Sequence, residues 1–267
     1  MTRQVKVPFP GPDCYPCRRF FAACGVLGLL LLTSHLTVAD SPDAGHDARQ
    51  AFGPASPQWL RAVGRLQVPT SRHSDGRTRH HLEDCSATLV AQAGDNTANT
   101  LVTAWHCLEY YRDLSRPISF IARDNRGESL SRQAYRLADG GGMHGDWAIL
   151  RLYRPIARED MAALLIHPRR ADPSRPITMA GYSRDTGLGE NGERLTYDAG
   201  CRIIAEARQG NDSDCTAYKG ASGGAVIQLS ETGQALYAGV ISRGDSAGLS
   251  IYVPISRFRF ALDQHLR

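Results

Sequence analysis

With 267 residues, of which 42% are hydrophobic, the chain is long enough for one large domain or two small ones and apolar enough to build a sizeable core. The formal net charge is +4, but the first 39 residues hold four basic side chains and one acidic one, and the rest is balanced at 27 basic against 26 acidic. So nearly neutral a body has no general attraction for nucleic acid or for an anionic membrane.

The amino-terminal stretch has the pattern of an address. Arg18 and Arg19 precede an apolar run from Phe20 to Leu32, and Thr37-Val38-Ala39 offers small residues before Asp40, so residues 1–39 are expected to be an export signal. The apolar run falls short of the ~20 residues a helix needs to span a bilayer, which favours cleavage over anchoring and leaves no membrane association afterwards. Arg18-Arg19 before Phe20-Phe21 faintly resembles a twin-arginine signal, and the export route stays open. Cys14, Cys17 and Cys24 leave with the signal. Cys85, Cys107, Cys201 and Cys215 remain, an even set that points to two disulfides in an exported chain and lacks the paired short spacings of a zinc site.

Residues 40–58 are rich in Pro, Ala, Gly and Asp without an apolar period, and are expected to be a linker or propeptide, with ordered structure beginning near Trp59. From there, short β-prone runs recur between polar turns: Cys85–Val90, Thr100–Thr103, Ile118–Ala122, Trp147–Leu152, Ile177–Ala180, Cys201–Ile204, Ala225–Leu229, Ala235–Ile241 and Ser250–Val253. That spacing predicts an antiparallel all-β sandwich or barrel. At the end of the chain Ser256 can cap a helix whose Phe258, Ala261, Leu262 and Leu266 lie near one face, to pack on the β core.

Three segments carry chemistry. Thr103-Ala104-Trp105-His106-Cys107 ends a strand with a histidine beside a cysteine able to tie the chain down. Asp146 stands immediately before the apolar Trp147-Ala148-Ile149-Leu150, where a carboxylate can be partly buried against an imidazole. Gly220-Ala221-Ser222-Gly223-Gly224 sets a serine among small residues, which lets backbone approach a substrate carbonyl. Together they supply the nucleophile, base, orienting carboxylate and oxyanion donors that acyl transfer by serine requires.

In the order His, Asp, Ser these segments resemble the chymotrypsin-like serine peptidases, and more closely their bacterial trypsin-like and glutamyl-endopeptidase-like members. TAWHC at 103–107 resembles the family's TAAHC box, GDWAIL at 145–150 its DIAL box and KGASGGAV at 219–226 its GDSGGP box. The resemblance covers roughly residues 62–266. It implies an all-β fold of two packed six-stranded antiparallel β-barrels with a C-terminal helix, the first barrel over 59–160 and the second over 161–267. It further implies a serine endopeptidase with Ser222 as nucleophile, His106 as general base and Asp146 orienting it. The oxyanion hole falls to the N–H groups of Gly220 and Ser222, and no cofactor or metal is called for. Cys85 is expected to pair with Cys107, and Cys201 with Cys215. Ser242, Arg243 and Gly244 would meet substrate backbone, and Thr216 and Ser250 would line the primary pocket. Protein or peptide is the expected substrate, and a secreted or periplasmic monomer the expected form.

Several points depart from the pattern or stay open. Ala221 stands where trypsin-type zymogens place the aspartate that receives a freed amino terminus, so an activation switch of that design is not expected. Asp214 or Asp245 would favour basic substrate side chains, Arg243 and His144 acidic ones, and residue types alone do not choose. GASGG also fits the G-x-S-x-G elbow of α/β-hydrolases, but β-prone Ala225–Leu229 follows where that fold needs a helix. A noncatalytic protein on the same fold is the remaining alternative, since fold does not imply activity.

Overall fold

The computed structural model describes residues 47–266; the expected export signal, residues 1–39, and the first part of the expected linker, residues 40–46, lie outside the described residues. Fifteen strands and one helix follow in chain order. They are β1 (Gln50–Ala51), β2 (Val63–Ser74), β3 (Arg77–Ala91), β4 (Thr97–Thr103), β5 (Ile118–Arg123), β6 (Ser129–Asp139), β7 (Ala148–Ala157) and β8 (Leu164–Ile166). The second half adds β9 (Ile177–Gly181), β10 (Thr196–Cys201), β11 (Ile203–Ala207), β12 (Gly210–Ser213), β13 (Ala225–Leu229), β14 (Ala235–Gly244), β15 (Ser250–Pro254) and the helix α1 (Arg259–His265).

The first six-stranded barrel closes as β2–β3–β4–β7–β6–β5 and back to β2, antiparallel throughout. Alternation drives it: in β5, Ile118, Phe120 and Ala122 are buried while their neighbours face outward, the period-two pattern of a strand with one wet face. With Leu66, Val68, Leu89, Leu101 and Leu150 they fill the barrel, each large side chain contributing about 1.5–3 kcal/mol by leaving water.

The second barrel runs β9–β13–β14–β15–β12–β11, with β10 on the far side of β9. Only Arg202 separates β10 from β11, so the continuous chain closes this ring, and β10–β11 acts as a single bent sixth strand. Ile177, Met179, Val226, Ile241 and Tyr252 pack inside it. Between the barrels lies a third cluster with members from both, including Val63, Val102, Ile149, Tyr237 and Val240, capped by Phe258 and Leu262 of the C-terminal segment. The short β8 pairs in parallel with both β3 and β14, a departure from the all-antiparallel expectation that joins the two barrels at one edge.

Two sequence expectations are corrected. Ordered structure begins by Asp47, not near Trp59: β1 pairs with β10, Phe52 N–H donates to Leu195 O at 2.8 Å, and Arg49 is buried. The composition of this stretch resembles a linker because its few anchoring groups are polar and reach partners more than a hundred residues away. The helix does pack its apolar side on the core, but Ser256 does not cap it. Ser256 lies exposed in a 3₁₀ turn, Ile255–Arg257, and α1 starts after Phe258 with no side-chain cap. Among the described residues no helix is long and apolar enough to cross a membrane.

Candidate active site

His106 stands in the 3₁₀ turn Trp105–Leu108, just past the end of β4, and the disulfide from Cys107 to Cys85 ties that turn to β3. Asp146 stands two residues before the start of β7 and is 0% exposed. Its carboxylate accepts from His106 Nδ1–H at 2.9 Å on Oδ2, from the His106 backbone N–H at 2.9 Å on Oδ1, and from Ser242 Oγ–H at 2.5 Å on Oδ2. A buried carboxylate is tolerated only when satisfied in this way. The bonding fixes Nδ1 as the proton-bearing nitrogen and leaves Nε2 as the one with a free lone pair.

Ser222 comes from the other barrel. Ser86 N–H donates to its carbonyl at 2.8 Å, and Cys107 Sγ lies 3.9 Å from the same oxygen, so β3 and the disulfide position the Ser222 loop from the histidine side. Its hydroxyl donates to Ser242 O at 3.2 Å. Ser242 therefore joins the site twice: its side chain holds Asp146 and its carbonyl holds Ser222. The Ser222 hydroxyl is thus turned toward β14.

One peptide bond sets the direction of the Gly220 N–H. Lys219 O accepts from Arg184 N–H at 2.7 Å, and because the trans peptide carries its N–H opposite its C=O, the Gly220 N–H faces away from Arg184. Gly220 has φ +96°, and a Cβ there would lie 2.6 Å from Tyr182 O, so neither its conformation nor its surroundings admit a side chain. Its own carbonyl accepts from Ser86 Oγ–H at 2.8 Å, and Ser86 Oγ in turn accepts from Tyr182 N–H at 2.8 Å.

The pocket candidates are brought together, but tightly. Gly244 on β14 faces Ser250 on β15. A Cβ on Gly244 would lie 2.3 Å from Ala217 O and 2.8 Å from Ser250 Oγ, so the walls touch. Ser250 Oγ is buried without a hydrogen-bond partner among the described residues. Thr216 is half-buried and donates its N–H to Asp198 Oδ2 at 2.7 Å, while Arg243 is exposed beside Gly244. Neither acidic candidate supplies the pocket. Asp214 accepts from Arg202 N–H across the Cys201–Cys215 link, and Asp245 accepts from Ala247 and Leu249 N–H within its own turn. His144 is an exposed loop residue.

Three residues of this region were not singled out in the sequence. Ser86, between two strand residues of ordinary β pattern, carries no local signal. Asp198 is buried on β10, and burial pushes its carboxyl up while the Thr216 N–H pulls it down, for a net rise. An aspartate within a β-prone stretch is the signal that marks it. Arg49 is hidden in the supposed linker. Cys85, His106 and Cys107 are close enough to suggest a metal site, but both sulfurs are consumed in the disulfide, leaving one imidazole and no thiolate.

Comparison with known proteins bears on the fold and the family. The trypsin family model matches residues 70–261. Among solved structures, the protease Anisep from Arthrobacter nicotinovorans superposes with a TM-score of 0.57 at 17% identity, covering 80% of this chain and 98% of that one. A thermostable serine protease, AL20, from an extremophilic microorganism gives 0.55 at 17% identity, covering 79% and 100%. No curated protein matches in sequence. These likenesses carry the two-barrel fold, and the family match covers most of the chain: it belongs to the trypsin family of chymotrypsin-like peptidases and is a serine endopeptidase.

Proposed function

We propose that the protein is exported, keeps its two disulfides in an oxidising compartment, secreted or periplasmic, and cleaves peptide bonds as a monomer without a cofactor. Ser222 Oγ attacks the scissile carbonyl carbon as its proton passes to His106 Nε2. The oxyanion rests on the Gly220 and Ser222 N–H groups, and the C–N bond breaks as the leaving amine takes the proton from His106. Water then gives its proton to the same nitrogen, attacks the acyl-Ser222 carbonyl, and releases the acid while the serine regains its hydrogen. The observation that carries this reading is the buried Asp146, bonded at once to His106 Nδ1 and to the Ser242 side chain whose carbonyl holds the Ser222 hydroxyl.

The touching pocket walls favour a small residue, Gly, Ala or Ser, before the scissile bond, since a longer side chain would have to part Gly244 from Ala217. This supports neither the basic nor the acidic preference that residue types had left open. Labelling of the oxidised protein with a fluorophosphonate tests the catalytic reading. Adduct formation that is lost in Ser222→Ala and in His106→Ala is expected; no labelling of folded protein would move the assignment to a noncatalytic binding role.

A further inference from the structure

Arg49 makes more bonds than any surface arginine needs. Its side chain is 2% exposed, forks onto Asp47 through Nε (2.9 Å) and Nη2 (2.7 Å), and reaches Asp185 Oδ1 through Nη1 at 2.8 Å. The guanidinium lies over the Tyr218 ring, 3.7 Å from its centroid. A buried cation persists only where such partners replace its water. The chain on either side is fixed as well, by β1 on β10 and by Tyr197 Oη–H on Gln50 Oε1 at 2.8 Å.

Two of the three groups that Arg49 grips, Asp185 and Tyr218, flank a single hydrogen bond. Asp185 follows Arg184, whose N–H holds Lys219 O at 2.7 Å, and Tyr218 precedes Lys219. That bond turns the Gly220 N–H away from Arg184. Tyr218 also holds the loop from within, its carbonyl accepting from Ala221 N–H at 3.0 Å, and Asp185 is built into its own turn through Gly189 N–H on Oδ2 at 3.2 Å. Arg49 thus fastens the segment 184–185 to the segment 218–219 from outside the barrels, at the position in the nucleophile loop where Ala221 can supply no charge of its own.

We propose that Arg49 is a positioning residue for catalysis: through Asp185 and Tyr218 it holds the Lys219–Gly220 peptide in the orientation that presents the Gly220 N–H to the oxyanion, and residues 47–51 remain with the mature enzyme for that purpose. The inference rests on the proposed catalytic reading of Ser222. It also sets where maturation can occur, because trimming past Arg49 would remove the clamp.

The test compares wild type, Ser222→Ala, Arg49→Gln, Arg49→Lys, Asp185→Asn and Tyr218→Leu, each as the oxidised full-length mature protein. Three quantities are measured: kcat and KM on one peptide ester, affinity for a peptidyl aldehyde that forms an oxyanion on the serine, and the melting temperature. Arg49→Gln should lower kcat and aldehyde affinity by at least about tenfold, toward the 10²–10³-fold expected for loss of one oxyanion donor, with KM nearly unchanged. Arg49→Lys should recover part of the loss, and Asp185→Asn and Tyr218→Leu should each reproduce part of it at assay temperatures well below melting. An Arg49→Gln enzyme with wild-type kcat and aldehyde affinity would overturn the proposal. If Arg49→Gln does not fold, Asp185→Asn and Tyr218→Leu decide: unchanged kcat and aldehyde affinity in both would overturn it too. A wild type as inert as Ser222→Ala would refute the catalytic reading itself.

Discussion

Ser242 and Asp198 are the two side chains whose individual chemistry is most exposed to test. Ser242 Oγ–H is one of three donors on the buried Asp146, and its loss leaves a carboxylate without water short of a partner. Ser242→Ala should therefore reduce kcat about tenfold with little change in KM, read from steady-state kinetics on a peptide substrate, because the imidazolium that forms during attack loses orientation rather than the substrate losing a contact. Asp198 has its carboxyl raised by burial, so the folded protein holds that proton over a pH interval in which the unfolded chain has released it. Its contribution to stability is present at low pH and lost as pH rises through the folded value. Asp198→Asn, which keeps an oxygen for the Thr216 N–H, should melt higher than wild type at neutral pH and equally at low pH; a lower neutral melting temperature would contradict this. At this scale the proposed triad is suggested by sequence because its residues stand in short local boxes. Ser86, Asp198 and Arg49 are not, because each works through partners distant in sequence, Ser86 on Gly220 O and Arg49 on Asp185.

Strands and loops obey local patterning where one face is wet, and escape it where neither face is uniform. Runs such as Ile118–Ala122 and Ala225–Leu229 fall on β5 and β13 because their alternating or continuous apolar residues meet a core. β6 went unnoticed because Ala134 is its one fully buried side chain, and β12, Gly210–Ser213, because polar residues are held there by neighbours on β11 and β15. The disulfides act on elements: one joins β3 to the histidine turn, the other fastens the bend at Arg202 to the chain leading into Thr216. Closing loops of 22 and 14 residues is worth about 3 kcal/mol each by chain entropy, so reduction should lower the melting temperature by several degrees or more in a thermal scan with and without reductant. The amino-terminal element adds an acid limb. Hydrogen bonds from Arg49 hold the Asp47 carboxyl below the usual carboxylate range. At Asp185 burial works upward but bonds from Arg49 and Gly189 N–H outweigh it, so it too lies low. The stability these groups supply is present above their unfolded values and lost as pH falls through the folded ones. Melting temperature plotted against pH should drop less steeply on the acid side in Arg49→Gln than in wild type.

At the scale of the molecule, a shared apolar cluster, Val63, Val102, Ile149, Tyr237 and Val240 among its members, fixes the seam between the two barrels, the first carrying His106 and Asp146 and the second Ser222. The two-barrel plan entered the reading through resemblance; patterning alone reached no further than an antiparallel all-β body, since nothing local in the chain announces which strands close a ring. The strand β8, only Leu164–Ile166, is hydrogen-bonded to β3 on one side and β14 on the other, and both barrels fall within one compact unit. Such a tie couples the two barrels at one edge. On the proposed catalytic reading the scissile segment is expected to enter extended, so a folded protein is expected to be cut only through chain it can locally unravel. Cleavage rates across a series of destabilised variants of one target protein should then rise with the population of the locally opened target, while the rate on a short unstructured peptide of the same sequence stays constant. In this view the enzyme selects among proteins less by the letters around the cut than by how readily each one lets go of its own fold.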